Sequence, residues 1–362
     1  MYKRYFLLFM SLVVLTLTSY GQQEKIKDQD PLFPVIKGEK YGFINKSGKI
    51  IIEPQYSQVG SFSSGLAVVK IGDLWGFIDK TGKIVIEPKT GRGPFSAFLE
   101  GFEYVRIDEL VGFMDTTGNI AIQPQYEQVG DFHEGMARIR IDKKWGYINK
   151  TGKIVIEPKF YQAYEFSEGM ASICMNNKWG YIDKTGKILI EPAFDQADNF
   201  SEGLAWVKIN NKYGFIDKTG KIIIEPQQYT YVGSFSEELA MVVTGQLMHN
   251  INIATNLDII NVTVRNPSLP VGKMSFIDKT GKTIIDLQDL GVKEALLPGF
   301  SEGLAGVKIG DKWGFIDKTG KVVIEPKYNW VWPFMHGLAQ VQVSYSIGYI
   351  EKSGKYIWEP TK

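Results

Sequence analysis

From Leu32 onward, hydrophobic residues fall into short runs separated by turn residues. The stretch from Gly65 to Pro88 shows the pattern. Leu66-Ala67-Val68-Val69-Lys70-Ile71 is one run, and Gly72-Asp73 follows it. Leu74-Trp75-Gly76-Phe77-Ile78 is the next, closed by Asp79-Lys80-Thr81-Gly82. Lys83-Ile84-Val85-Ile86-Glu87 is the third, stopped by Pro88, which cannot donate to a ladder. Short runs rich in β-branched and aromatic residues, bounded by Gly, Asp and Pro, predict three antiparallel strands. Asp-Lys-Thr-Gly predicts a hairpin: Asp accepts a backbone N–H at the start of a type I turn, and Gly takes the left-handed conformation of a G1 bulge. The glycine after each Trp leaves room for a neighbouring strand or ring, because glycine otherwise only weakens a strand.

This unit is written nine times. The turn glycines are Gly48, Gly82, Gly118, Gly152, Gly186, Gly220, Gly281, Gly320 and Gly354, spaced 34, 36, 34, 34, 34, 61, 39 and 34 residues apart. A second marker, Phe-Ser-Glu-Gly, precedes most copies, as at Phe166–Gly169 and Phe200–Gly203. A fixed period of this size marks a repeat architecture. A lone three-stranded meander is marginal, so each unit must bury its apolar face on its neighbours. The aromatics of the links, such as Tyr56 and Phe62 or Phe160 and Phe166, are read as the knobs that do this. The fold class is therefore all-β: nine three-stranded meanders over residues 32–362, forming an open, curved, solenoid-like array. A closed β-propeller is the alternative. The open form is favoured because the first unit starts with its own strand and the last ends with its own, with no unit shared between the two ends.

Two copies depart from the pattern. The third has Val111 for Trp and Gln123-Pro124 for Glu-Pro. The seventh has Met274-Ser275 for Trp-Gly, Asp286-Leu287 for Glu-Pro, and an insertion at about 244–271. Insertions in repeat arrays map to loops, often on a binding face. Ahead of the array, Lys3 and Arg4 precede the apolar run Phe6–Leu17, and Ser19-Tyr20-Gly21 supplies small residues for cleavage before Gln22. Residues 1–21 are thus expected to be a signal peptide and 22–31 a linker, in an exported protein that is periplasmic or secreted, with no membrane span after cleavage.

Charge and composition change this picture little. Lys plus Arg number 41 against 40 Asp plus Glu, a net charge of +1, which gives no global reason to bind nucleic acid. The single cysteine, Cys174, cannot form an internal disulfide and reads as a small buried hydrophobe. His133, His249 and His336 lack partners at ligand spacing, so no metal or cofactor is expected. Gly76 to Gly82 does not match a phosphate loop, and no helix follows it. The Glu of Ile-Glu-Pro recurs in seven copies, which suits a structural role such as pairing with the turn lysines better than a single active site. Aromatics outside the repeating pattern, Trp330, Trp332, Tyr229, Tyr231, Tyr161 and Tyr164, are the candidate ligand-binding residues. Inter-unit packing is the competing reading of these rings.

Trp-Gly-Phe/Tyr-Ile-Asp/Asn-Lys-Thr-Gly-Lys followed by Ile-Glu-Pro, recurring in phase, resembles the WG-repeat (KWG-type) family of bacterial proteins. The resemblance covers about residues 32–362. It implies a β-rich scaffold with an interaction or binding role and no catalytic residues. Tyr41, Val111, Tyr213, Met274 and Ile347 replace the Trp, which favours packing over recognition at that position. The expected function is a non-enzymatic, exported binding or scaffold module for a protein or envelope polysaccharide. Two alternatives stand: an enzyme or accessory subunit with a site near 244–271, and carbohydrate binding through the exposed aromatics.

Overall fold

The computed structural model describes residues 31–90, 98–245, 252–254, 259–261 and 272–360. The expected signal peptide and almost all of the linker lie outside the described residues, as does most of the 244–271 insertion. Within that insertion, Asn252–Ala254 and Ile259–Asn261 pair as an antiparallel hairpin. The chain divides into two compact units: residues up to Gln55 with Ile223 onward, and Tyr56–Ile222.

The expected strands form, with one addition. In the fifth repeat Ala171–Met175, Lys178–Ile182 and Ile188–Phe194 are the three predicted strands, and Gln162–Ala163 adds a fourth in front of them. The same order recurs over Gln128–Phe160 and Trp330–Trp358. The three-stranded meander is thus corrected to a four-stranded one in these copies. In the fifth repeat the extra strand is only two residues long and pairs through Gln162↔Cys174 and Ala163↔Ile173, whereas in the fourth it runs over Gln128–His133. A two-residue segment has no periodicity to announce it.

The hairpin chemistry is as expected. Asp317 Oδ1 accepts from the Thr319 N–H (2.9 Å), the Thr319 hydroxyl (2.6 Å) and the Lys321 N–H (3.1 Å), while Gly320 has φ 85°. The glycine after Trp answers to a close approach. A methyl group on Gly180 would lie 2.5 Å from the Ile190 carbonyl oxygen and 2.6 Å from the Pro192 nitrogen.

No repeat owns its core. In the second unit, Phe113 and Ile122 of repeat three share a buried cluster with Phe132, Ala137, Ile139 and Ile148 of repeat four. In the first unit, Phe315 and Tyr328 of repeat eight pack with Phe334, Val341 and Ile350 of repeat nine. The Phe-Ser-Glu-Gly marker is the stitch between neighbours. Ser167 Oγ donates to the Phe200 carbonyl of the next repeat (2.7 Å). The Glu168 carboxylate accepts from the Gly203 N–H (3.1 Å) and pairs with Lys218 Nζ (3.0 Å). Lys184 with Glu134, Lys318 with Glu237 and Lys352 with Glu302 repeat the ion pair. The turn lysines therefore pair with the Glu of Ser-Glu-Gly, and Glu157, Glu191 and Glu325 of Ile-Glu-Pro are exposed.

The open array requires correction inside the first unit. The Tyr349 hydroxyl of the last repeat donates to the Pro34 carbonyl of the first (2.9 Å). Phe33, Val35 and Ile44 share a buried cluster with Leu338 and Tyr349. At interior junctions the equivalent tyrosines, Tyr147 and Tyr181, donate instead to link carbonyls of the next repeat, those of Tyr164 and Asp198, each at 2.7 Å. The last repeat therefore meets the first through an apolar cluster like the one that joins interior neighbours, with its own tyrosine bond. An open solenoid keeps its end repeats apart, whereas the closed alternative requires them to meet. A shared repeat is not needed for this junction, which is why its absence from the sequence misleads.

Candidate polar row on consecutive repeats

The first predicted strand of most repeats reads Leu/Met-Ala-x-Val/Ile, with buried residues on either side of x. The x position is filled by Pro34, Val68, Tyr104, Arg138, Ser172, Trp206, Met241, Gly306 and Gln340, a different residue type in every copy. Nothing else in the unit varies so completely inside so fixed a frame. The residue paired with it on the next strand is aromatic throughout. It is Tyr where x is Arg138, Ser172 or Gln340, through Arg138↔Tyr147, Ser172↔Tyr181 and Gln340↔Tyr349. It is Phe opposite Val68, Tyr104 and Trp206.

In the second unit three consecutive x positions reach across to the residue that precedes the Phe of the next Phe-Ser-Glu-Gly or its variant. Tyr104 hydrogen-bonds Asp131. Arg138 Nε lies 2.8 Å from Glu165 Oε1, and its Nη1 donates to the Ala163 carbonyl (2.7 Å). Ser172 Oγ donates to Asn199 Oδ1 (3.3 Å). Arg138 also lies over the Trp145 ring, 4.7 Å from its centroid, a cation–π contact. Gly130 makes the space for the ion pair, since a methyl group there would lie 2.5 Å from Arg138 Nε and 2.7 Å from Glu165 Oε1.

Along the row the Arg138 and Glu165 side chains are 21% and 22% exposed, whereas Ser172 is fully buried and its partner Asn199 is partly exposed. Burial pushes the Asp131 carboxyl above the usual carboxylate range, and the Glu165 charge adds to this against the Tyr104 hydrogen bond. Burial also raises the Tyr104 hydroxyl, reinforced by Asp131 and Glu165. Burial opposes the Arg138 charge, but Glu165 and the neighbouring tyrosine hydroxyls hold it firmly protonated. Next to Tyr104, Glu103 takes the place of the buried alanine and is 1% exposed. The arrangement supplies hydrogen-bond donors and acceptors, with the Arg138 charge compensated by Glu165. No group of three metal-ligating residues exists among the described residues.

The candidate aromatics are placed as follows. Trp332 and Tyr229 are buried. Trp330 packs on Trp313 with centroids 4.8 Å apart, Tyr164 stacks on Trp179 at 5.2 Å, and Tyr231 lies against the core of repeats seven and eight. Only Tyr161 is largely exposed, with Lys144 over its ring. The row was not singled out from the sequence. The signal that could have found it is the position with nine different residues, visible once the copies are aligned on Ala and Val.

A sequence profile for the WG-containing repeat matches residues 41–75, 75–89, 112–145, 145–179, 179–213, 213–247, 298–313 and 313–345. No curated protein matches the chain. Among solved structures, a eukaryotic initiation factor is similar with a TM-score of 0.58 at 9% identity, over 92% of this chain and 96% of that one. At that identity the likeness speaks to the fold alone. Apo AztD from Citrobacter koseri gives a TM-score of 0.40 at 11% identity, over 81% of this chain and 93% of that one. The dihydro-heme d1 dehydrogenase NirN gives 0.43 at 11% identity, over 94% and 75%.

Proposed function

The chain belongs to the WG-containing repeat family, and from that premise we propose that it is an exported, non-enzymatic binding module for a component of the cell envelope, protein or polysaccharide. The observation that carries this reading is the x position. A fixed frame of buried residues with one freely varying position per repeat, partly exposed at Pro34, Tyr104, Arg138, Trp206 and Gln340, is the form a recognition surface takes on a repeat scaffold. Where x is Tyr104, Arg138 and Ser172, the varying groups are joined into one polar row rather than dispersed. The signal-like segment 1–21 supports export, and an envelope partner follows from that.

The test is affinity capture from an envelope extract with the chain from Gln22 onward, beside an Arg138→Ala/Asn199→Ala variant. One component should be retained by the parent chain and lost, or reduced at least about tenfold, with the variant, as expected when buried polar partners are removed from an interface. Retention of nothing, or equal retention by both chains, contradicts the reading.

A further inference from the structure

Resting on that binding reading, we propose that the row Tyr104–Asp131, Arg138–Glu165 and Ser172–Asn199 takes an uncharged, hydroxyl-rich oligosaccharide segment. The row offers one polar pair per repeat on three consecutive repeats, the buried Ser172 being reached through its partly exposed partner Asn199. Such a ladder suits an extended ligand with its own repeating hydroxyls more than a single compact molecule.

Charge narrows the class. Arg138 is neutralised by Glu165 at 2.8 Å, and Ser172–Asn199 carries no charge. Asp131 is the remaining ionisable acid of the three pairs, and Tyr104 already bonds it. An anion would meet Arg138 already committed to Glu165 and, at the other end of the row, His133 beside the Asp131 carboxyl, and a cationic ligand would have to displace Arg138 from its carboxylate. Phosphate, nucleic acid and acidic peptides are therefore poor fits. Neutral hydroxyls fit, because each both donates and accepts. The row has donors to spare: Asn199 accepts through Oδ1, which leaves its NH₂ to donate, and Arg138 has five N–H groups shared between two partners.

Aromatic surface completes the match. Trp206, the next x residue along the chain, is half-buried and packs edge-on against Tyr213 at 5.5 Å, and the Trp145 ring supports Arg138. Pockets for small polar ligands combine aromatic walls with a few fixed polar groups in this way.

The experiment uses the chain from Gln22 onward. Malto-, cello- and chito-hexaose are titrated while tryptophan fluorescence and saturation-transfer NMR are recorded, and heparin hexasaccharide serves as the charged competitor. At least one neutral hexaose should bind saturably. Its affinity should fall at least about tenfold in both Glu165→Gln and Asn199→Ala, as when one partner of a buried polar pair is truncated, and heparin should not displace it. Asn199→Ala removes only a 3.3 Å contact, so it keeps the test decisive if Glu165→Gln melts early. Absence of binding by all three sugars, affinity unchanged in both variants, or displacement by heparin overturns the inference. If the envelope capture retains a protein while no sugar binds, the oligosaccharide inference falls and the binding reading stands. If it retains nothing, the binding reading falls as well.

Discussion

At the scale of the residue, the Glu of Ser-Glu-Gly shows how one side chain carries more than its position suggests. Glu168 sits at φ 52°, a left-handed conformation unfavourable for a residue with a Cβ. Its turn has Ser167 and Met170 bonded to each other in both directions, with Gly169 at φ 83°. Two central residues of positive φ make this the hairpin turn that usually takes Asn-Gly. Glu is used because its carboxylate reaches the next repeat's Gly203 N–H and Lys218. Glu168→Ala should therefore lower stability by about 1–2 kcal/mol through the lost charge-assisted bond. The exposed Glu157→Ala should stay within about 0.5 kcal/mol. Denaturant midpoints of the two variants decide the point, and equal shifts would contradict it. The glycine after Trp sets a stricter limit. Gly180→Ala should cost about 2–3 kcal/mol by overpacking, because the clash is with backbone. The seventh repeat shows the exception: Ser275 stands at this position, and there the Glu-Pro of the facing strand is replaced by Asp286-Leu287.

At the scale of the element, the hairpin turn is a titrating unit. Asp79, Asp115, Asp183, Asp217, Asp278 and Asp317 all have carboxyls held below the usual range, chiefly by the following Thr hydroxyl and then by backbone N–H groups. A lowered folded-state pKa contributes stability that is present above the unfolded value, near about 4, and is lost as pH falls through the folded value. Thermal midpoints should therefore drop as the buffer is taken below about pH 4. Asn149 makes the same turn bonds without a proton to gain, with Oδ1 accepting from the Thr151 and Lys153 N–H groups at 3.0 and 3.1 Å. Asp183→Asn combined with Asp217→Asn should then flatten the acid limb with little change near neutrality, and parallel pH curves for parent and variant would refute the assignment. In the same turn, Gly320→Val should destabilise clearly more than Lys321→Ala, since a β-branched residue resists φ 85°. The turns were legible from sequence because every group in them lies within four residues. The two-residue link strands were not, nor was the pairing of Arg138 with Glu165. A strand of two residues is too short for a period, and Arg138 meets Glu165 of the next repeat, a contact that the pattern within one unit does not encode.

At the scale of the whole molecule, the junction between the last and first repeats is the feature that sequence reading reversed. Intact strands at both ends predict free ends. Intact strands exclude only a shared repeat, and Phe33 and Tyr349 pack at 5.5 Å without one. The last repeat, Trp330 onward, thus has two neighbours. Its Phe334 and Val341 bury against repeat eight, and its Leu338 and Tyr349 bury against Phe33, Val35 and Ile44 of repeat one. In an open array, deleting a terminal repeat uncovers one interface and leaves a shorter stable array. Here deletion of residues 330–362 uncovers two apolar faces at once. A chain ending at Asn329 should lose far more than one repeat's share of its stability, expose hydrophobic dye-binding surface, and melt with reduced cooperativity. Tyr349→Phe is the gentler version. It removes only the hydrogen bond to Pro34 and should cost about 0.5–1.5 kcal/mol, matching Tyr181→Phe at an interior junction. A truncated chain that melts sharply at the parent temperature, with Tyr349→Phe silent and Tyr181→Phe not, would return the ends of the chain to independence.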